Sequence, residues 1–364
     1  MKKFAKRAAA LLLALILTFS FTGCYSEGKT WAAKMGDITL PTGGYIYFLS
    51  AAYEDAAALV DSDKKVLKTE IEGQKAEDWI RDRTMDYVNR FFWVENEMQR
   101  LGLTLDEKDM DEVDLLTTTY WTTYGGADIY DEYGISRESF DLIYSQYNVK
   151  YLRIFEALYG EGGEFEVPIA DMEDHYNSTY YNYEYFTVPM ALPDEEGNPV
   201  EMTEEEAADL AEELEEIRTD IEKGKLTVEE AAEKYAEKYH QEKSSYVSEI
   251  NNAYGMTMTY TPAEFATKLS EMVTDDVAVF EADQYMIVLK KLQIEGTAEE
   301  KLADPDDRSS ILIELKSAEY AAYVEEQAAA MSGIEMNTKA IKSYKPKMFA
   351  EAYPYGYVST ETAE

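Results

Sequence analysis

The sequence predicts an α+β protein with a mostly helical part and one small segment in which strands and helices alternate. Across most of the 364 residues, apolar side chains recur at the three- and four-residue spacing of amphipathic helices. The exception is residues 183–292, where strand and helix signals follow in the order β-α-α-β-α-β-β. A chain of this length is long enough for two or three domains with a substantial core.

The mixed segment begins with signals for one strand and two helices. Residues 183–188 are rich in aromatic and β-branched side chains, as strands are, and the prolines that follow end the run. Two capping boxes come next: Thr203 pairs with Glu206, and Thr227 pairs with Glu230. The sequence therefore predicts a strand followed by a helix pair.

The rest of the mixed segment predicts a short strand, a third helix and two closing strands. Residues 245–247 are the candidate short strand. Thr261 is the expected N-cap of the third helix, with Pro262 at its first position. Residues 277–280 and 285–289 form the closing strands, joined by a tight acidic turn.

The helical part starts with two short extended pieces around a turn at Gly36 and Asp37. Gly102 ends a long early helix, and Ser136 is a plausible cap of a later one. A final helix begins at Asp304 and Pro305, after the mixed segment. We expect helices that begin near residues 41, 78, 104, 136, 168 and 305.

Four segments within the mixed region resemble the parvulin family of peptidyl-prolyl isomerases. They are Glu222-Lys223-Gly224, Leu226-Thr227-Val228-Glu229-Glu230-Ala231-Ala232, Pro262-Ala263-Glu264-Phe265 and Tyr285-Met286-Ile287-Val288-Leu289-Lys290. In this order they look like the family's first two helices, its Pro-Glu-Phe helix start and its final strand. The resemblance covers about a third of the chain and implies a small βααβαββ domain.

Three segments of the helical part resemble extracytoplasmic foldases of the PrsA type and the periplasmic chaperone SurA. They are Met35-Gly36-Asp37-Ile38-Thr39, Gly134-Ile135-Ser136 and Met172-Glu173-Asp174-His175-Tyr176. In that family the helical chaperone domain is discontinuous, and its last helix follows the inserted isomerase domain. The resemblance implies a helical domain over residues 31–180 and 297–350 and a parvulin-like domain over 181–296. Residues 351–364 are polar and acidic, and we expect them to form a disordered tail.

The parvulin resemblance implies a proline-binding pocket, which this sequence matches only in part. Parvulins rotate an X-Pro bond without a covalent step, using an apolar pocket and commonly two histidines. Phe265 matches the pocket phenylalanine. Where histidines are usual, the first strand offers Tyr185 or Phe186 and the last strand offers Tyr285 or Met286, depending on a one-residue ambiguity in the match. Phe265, Tyr185 and Tyr285 are our catalytic candidates. The alternative is a module that has lost activity and serves as a folded client-binding or spacing unit.

Other features of the family pocket are missing from the sequence. Thr261 replaces the usual methionine, and the Gly-Gly-Asp-Leu-Gly loop is absent. The only two histidines, His175 and His240, match no active-site position of the family. We interpret His175 as a partly buried helix residue and His240 as a helix cap.

The N-terminus is similar to a bacterial lipoprotein signal. A basic stretch and a short apolar run at residues 8–21 precede Phe21-Thr22-Gly23-Cys24, which has the form of a lipobox. This resemblance implies export, removal of residues 1–23 and lipid attachment at Cys24, with residues 24–30 as a tether. A plain secretory signal is the alternative. The mature protein would be anchored on the extracytoplasmic face of a bacterial membrane.

Composition excludes several other classes of function. A net charge of −39 makes nucleic acid an unsuitable partner. Such acidity is typical of a solvated surface, and attraction of basic unfolded clients is the functional alternative. Cys24 is the only cysteine, which excludes disulfides, a thiol nucleophile and cysteine-based metal sites once it is lipidated. No sequence pattern for a metal or a cofactor is present.

The sequence thus indicates a lipid-anchored extracytoplasmic chaperone or foldase whose partners are unfolded exported polypeptides. Thirty tyrosines against thirteen phenylalanines suit an adaptable binding surface or the edges of helical cores. Two alternatives stay open. One is an active isomerase with an atypical pocket, and the other is a non-catalytic surface scaffold. The sequence leaves the oligomeric state open.

Overall fold

A computed structural model describes residues 30–193, 199–239, 241, 243–258 and 263–356 of the chain. The α+β class is confirmed, because helices and strands are both well represented. The chain divides into two compact units. The helical unit comprises the chain up to Glu166 together with the chain from Lys316, and the mixed unit comprises Val167–Leu315.

A small sheet and a set of helices build the helical unit. Strand Trp31–Met35 pairs with Ile38–Pro41 on one side and with Glu335–Met336 on the other, all antiparallel. A two-stranded hairpin joins Glu70–Ile71 to Gln74–Lys75. The α-helices are Thr42–Ala58, Ala76–Leu101, Glu107–Thr118, Gly126–Tyr133, Arg137–Phe140, Tyr147–Tyr159 and Thr338–Ile341. Val66–Lys68 and Pro346–Met348 form 3₁₀ turns, and Thr119–Thr123 and Asp141–Gln146 form π-helical turns.

Helix Thr42–Ala58 is the centre of the helical core, and most of its residues are buried. The chain passes very close to its first turn. A Cβ atom added at Gly44 would stand 2.8 Å from both Ile143 Cγ2 and Leu40 Cδ1. A side chain at this position would therefore force Ile143 or Leu40 to shift.

Tyrosine fills much of this core. The Phe140 ring lies 4.9 to 5.8 Å, centroid to centroid, from the rings of Tyr47, Trp121, Tyr130 and Tyr144. Buried tyrosine hydroxyls need partners. Tyr320 is nearly fully buried, and its hydroxyl donates to the Tyr151 carbonyl oxygen at 2.9 Å. Many of the thirty tyrosines therefore stabilise the core.

The mixed unit contains a four-stranded antiparallel sheet in the order Val247–Asn252, Tyr180–Pro189, Tyr285–Leu292, Val277–Ala282. A short hairpin joins Ala191–Pro193 to Pro199–Glu201. The helices of this unit are Ile169–Thr179, Glu204–Glu222, Val228–Lys238, Ala253–Met258, Ala263–Glu271 and Ala298–Ala303. Helix Pro305–Ala329 begins in the mixed unit and ends in the helical unit.

The central strands separate two small cores in the mixed unit. Phe186 and Val188 pack with residues of helices Glu204–Glu222 and Val228–Lys238 on one face. Tyr183 packs with Met256 and Phe265 on the opposite face. This division follows from strand geometry, because successive side chains point to opposite faces.

Both predicted capping boxes are confirmed in the structure. The Thr203 and Thr227 side chains accept from the Glu206 and Glu230 amides, and both glutamates return a bond to the cap residue. Gly102 ends helix Ala76–Leu101 in the left-handed conformation, with φ of 66°. The short strand predicted at residues 245–247 begins only at Val247 and continues to Asn252. Thr261, Pro262 and His240 lie outside the described residues.

The structure describes part of the C-terminal tail but not the first 29 residues. Residues 1–29, with the predicted signal and Cys24, lie outside the described residues. Residues 351–356, the first part of the tail predicted to be disordered, make specific contacts. The Tyr53 hydroxyl donates to the Tyr353 carbonyl oxygen at 2.5 Å, and the Gly356 amide donates to Lys64 O at 3.1 Å. No helix within the described ranges is long and apolar enough to cross a membrane.

A buried hydroxyl pair provides a test of the helical packing. The Thr117 hydroxyl lies 2.7 Å from Ser145 Oγ and 2.8 Å from Asp141 Oδ1, on the π-helical turn Asp141–Gln146. We expect Thr117→Val to lower the free energy of unfolding by about 1–3 kcal/mol, because buried Ser145 loses its partner.

Thr118→Val is the matched control for this prediction. Thr118 is on the same helix but exposed, so its substitution should change stability by less than about 0.5 kcal/mol. Urea unfolding followed by far-UV circular dichroism measures both variants. Equal stability of the two would contradict a structural role for the hydroxyl pair.

Candidate functional site

Two of the three predicted pocket residues meet in the mixed unit. Phe265, on helix Ala263–Glu271, packs edge-on against Tyr185 and Tyr183, with ring centroids 4.9 and 5.3 Å apart. The helix presents Leu269 to the same core. Its apolar residues recur at helical spacing, so one face packs onto the sheet.

Phe265 is completely buried at this position. Tyr183 beside it is buried as well, and its hydroxyl donates to the Glu249 carboxylate. Burial and the Glu249 carboxylate both raise the pKa of Tyr183, so its hydroxyl stays protonated. In this arrangement Phe265 offers no surface to a proline ring from solvent.

Tyr285 lies away from the other two pocket candidates. It begins strand Tyr285–Leu292, opposite Pro189, and is 44% exposed. Tyr185 lies opposite Leu289, four positions along the same strand. At a rise of about 3.3 Å per residue, Tyr285 is roughly 13 Å along the strand from the Tyr185–Phe265 contact. The structure therefore brings together Tyr185 and Phe265 but not all three.

Among the described residues His175 is the histidine that can be placed. It is on helix Ile169–Thr179, and its Nε2 lies 3.6 Å from Glu314 Oε2. No group of three or more His, Cys, Asp or Glu in the described ranges could hold a metal ion.

A tyrosine-lined groove of about 540 Å³ opens in the helical unit. We call it the tyrosine groove. Its walls come from helix Thr42–Ala58, helix Gly126–Tyr133 and residues 349–355. The lining residues are Ser50, Tyr53, Glu54, Ala57, Ile129, Tyr130, Tyr133, Phe349, Tyr353, Pro354 and Tyr355. Its size is typical of small-ligand pockets, which span about 300–1,000 Å³.

Buried aromatic rings make the floor of the tyrosine groove rigid. Tyr53 and Phe349 are both nearly inaccessible, and their ring centroids lie 5.9 Å apart. Tyr133 packs on Phe349 at 4.8 Å. Burial raises the pKa of Tyr53 to about 12, so its hydroxyl remains a donor to Tyr353 at neutral pH. This bond holds residue 353 against the central helix.

The rim of the tyrosine groove exposes large apolar surfaces. Tyr353 and Tyr355 are 59% and 49% exposed, and Ile129 on the opposite wall is exposed to a similar degree. Clustered exposed apolar side chains on a soluble domain mark a binding surface more often than isolated ones do. The groove can thus accept apolar groups between a fixed floor and an accessible rim.

Glu54 is the one ionisable carboxyl among the lining residues. Its side chain is exposed to solvent, yet partial desolvation by the surrounding protein raises its pKa, with the Asp55 carboxylate adding to the effect. Burial and the Glu54 carboxylate also raise the pKa of Tyr130. The groove therefore combines aromatic faces with one acidic group.

Sequence reasoning predicted client binding by tyrosines of the helical domain but did not locate this groove. Its walls lie far apart in the sequence, so no local spacing marks it. The run Tyr353-Pro354-Tyr355 is the only local signal, and it falls in the segment that the sequence predicts to be disordered.

Comparisons with known proteins give a weak structural similarity. No family model and no curated protein matches the chain. Among solved structures the chain is similar to PrsA proteins, one of which is described as a foldase. That foldase, from Streptococcus pneumoniae, has a TM-score of 0.37 and 13% identity, covering 78% of this chain and 98% of its own. PrsA from Bacillus subtilis has a TM-score of 0.31 and 14% identity, covering 77% and 97%.

The burial of Phe265 predicts a structural effect of its removal. We expect Phe265→Ala to destabilise the protein by about 3–5 kcal/mol, because it leaves a cavity against Tyr183 and Tyr185. Tyr285→Ala, in the same sheet, should cost less than about 1 kcal/mol because Tyr285 is half exposed. Guanidinium unfolding of both variants measures this difference. A Phe265→Ala variant as stable as the unaltered protein would argue for a ring held in place for function.

Proposed function

We propose that this protein is an extracytoplasmic chaperone of the foldase type, which holds unfolded exported polypeptides in the tyrosine groove. The observation that carries the proposal is the groove itself, with a buried aromatic floor and exposed tyrosines at its rim. Tyrosine suits many partners, because its ring offers an apolar face and its hydroxyl offers hydrogen bonds.

Groove dimensions and chemistry favour short extended segments over a folded partner. A space of about 540 Å³ accommodates a few side chains of an unfolded chain. Backbone groups of such a segment are unpaired, and the rim hydroxyls of Tyr353 and Tyr355 are suitable partners for them. Such a groove makes few directional contacts with a client segment, so it tolerates many client sequences.

The mixed unit has a supporting role in this proposal. Phe265 is completely buried, and Tyr285 lies well away along its strand, which favours a folded client-binding or spacing module. Isomerisation by Tyr185, Phe265 and Tyr285 is the alternative from the sequence. It requires Phe265 to become accessible to a prolyl ring.

Client holding by the groove predicts a specific effect of rim substitution. Tyr353→Ser removes an exposed ring and leaves the backbone bond from Tyr53 in place. Loss of one aromatic anchor costs about 1–3 kcal/mol in typical interfaces. We therefore expect at least about fivefold more of this variant to be needed to delay aggregation of a reduced, unfolded client.

Tyr254→Ser is the control, since Tyr254 is even more exposed but belongs to the mixed unit. Light scattering of the aggregating client measures both variants. An equal loss in the two variants, or none in Tyr353→Ser, would remove the groove from the proposal. Capture of a single folded partner by the unaltered protein would favour the scaffold alternative.

We include lipid anchoring at Cys24 in the proposal. The support is the sequence at residues 1–24, where a basic stretch and an apolar run precede a cysteine after small residues. We expect Cys24→Ser to move the protein from the membrane fraction to the soluble extracytoplasmic fraction. Fractionation and metabolic labelling with a fatty acid measure this change. Unchanged membrane association without label would support a different mode of attachment.

A further inference from the structure

Glu54 shares the tyrosine groove with five tyrosine rings. It follows Tyr53 directly on helix Thr42–Ala58, and the other rings belong to Tyr130, Tyr133, Tyr353 and Tyr355. A carboxylate placed among aromatic faces is the arrangement that binds an organic cation. Ring faces attract the positive charge, and the carboxylate completes its neutralisation.

One rim ring of the groove already carries a cation from the chain. The Lys65 ammonium lies 5.8 Å from the centroid of the Tyr355 ring. This contact occupies one face of the Tyr355 ring, and it shows that a ring at the rim accepts a positively charged side chain. Lys65 is not among the residues that line the groove, so its contact with Tyr355 lies outside the groove lining.

The electrostatic surroundings of Glu54 favour the same type of ligand. A carboxylate that is partly desolvated gains more from a nearby cation than one in bulk water, because the effective dielectric constant is lower. Among the neighbouring acids, Glu132 acts on Tyr133, whereas the Asp55 carboxylate is paired with the Arg83 guanidinium at 2.7 Å. The net charge of −39 further attracts basic segments to the surface.

We infer that the tyrosine groove selects client segments in which a lysine or arginine is flanked by apolar residues. The long aliphatic stem packs on the exposed rings of Tyr353 and Tyr355, and the charged end reaches Glu54. This inference rests on the proposed function, because it specifies which unfolded polypeptides the groove holds.

Other occupants match the groove less well. The last eight residues of the chain contain two glutamates and no lysine or arginine. As an occupant of the groove, this segment would bring negative charge to the Glu54 carboxylate. A second copy of the protein would bring another strongly negative surface. A basic, partly apolar segment of a client satisfies both the rings and the carboxylate.

Peptides that differ in one side chain test the inference. We would use blocked, fluorescein-labelled seven-residue peptides with leucines around a central lysine, norleucine or glutamate, and measure anisotropy with the purified protein. Norleucine matches the lysine stem without the charge. The lysine peptide should bind about tenfold more tightly than the norleucine peptide, and the glutamate peptide more weakly than both.

Glu54→Gln should reduce the lysine preference, measured as the ratio of the two peptides' dissociation constants in the same variant, to less than about twofold. Glu112→Gln removes the same charge from an exposed site outside the groove and should keep the preference. In the unaltered protein the preference should also shrink as salt rises from about 0.05 to 0.5 M, because screening weakens the charge pair. This salt series tests the inference even if Glu54→Gln fails to fold.

The outcomes separate the inference from the proposed function. Equal binding of lysine and norleucine peptides would overturn the inference and leave client holding intact. Failure of all peptides to bind would overturn both. A lysine preference that survives Glu54→Gln would also overturn the inference. A dimer of the protein that dissociates when peptide is added would show that a second copy fills the groove, and it would overturn the inference too.

Discussion

The helical unit depends on enclosing one helix that is apolar on nearly every side. Helix Thr42–Ala58 buries most of its residues, so a single covering layer is insufficient. The strand pair, helix Ala76–Leu101 and the π-helical turns cover parts of it, and Phe349 from the end of the chain joins the same core. Packing must supply this stability, because the only cysteine is at position 24 and surface repulsion opposes folding. The chain after the mixed unit rejoins this core, because Phe349 completes the cover of helix Thr42–Ala58.

The tyrosine groove arises where this enclosure ends. Tyr53 and Phe349 complete the core, while Tyr353 and Tyr355 on the same segment remain exposed. Tyrosine serves both purposes, since its ring packs like phenylalanine and its hydroxyl tolerates water. The same residue type therefore stabilises the fold and forms the surface that we propose for clients. Glu54 gives this otherwise apolar surface its charge preference.

Local features were predictable from sequence, and features set by distant contacts were not. The capping boxes at Thr203 and Thr227 depend on residues three apart, so their chemistry is readable directly. The distance of Tyr285 from Phe265 depends on strand register, which the sequence of one strand does not specify. The groove depends on residues near positions 53, 130 and 353 meeting, which only the folded chain brings about.

The segment at residues 353–356 ties the end of the described chain to its beginning. Tyr353 accepts from Tyr53 across 300 positions of sequence, and Gly356 donates to Lys64. A growing chain that has passed helix Gly126–Tyr133 but not Phe349 therefore has two walls of the groove and lacks the third. Under the proposed function, such a chain cannot yet hold a client, because the groove exists only after residues 349–355 have packed on the central helix.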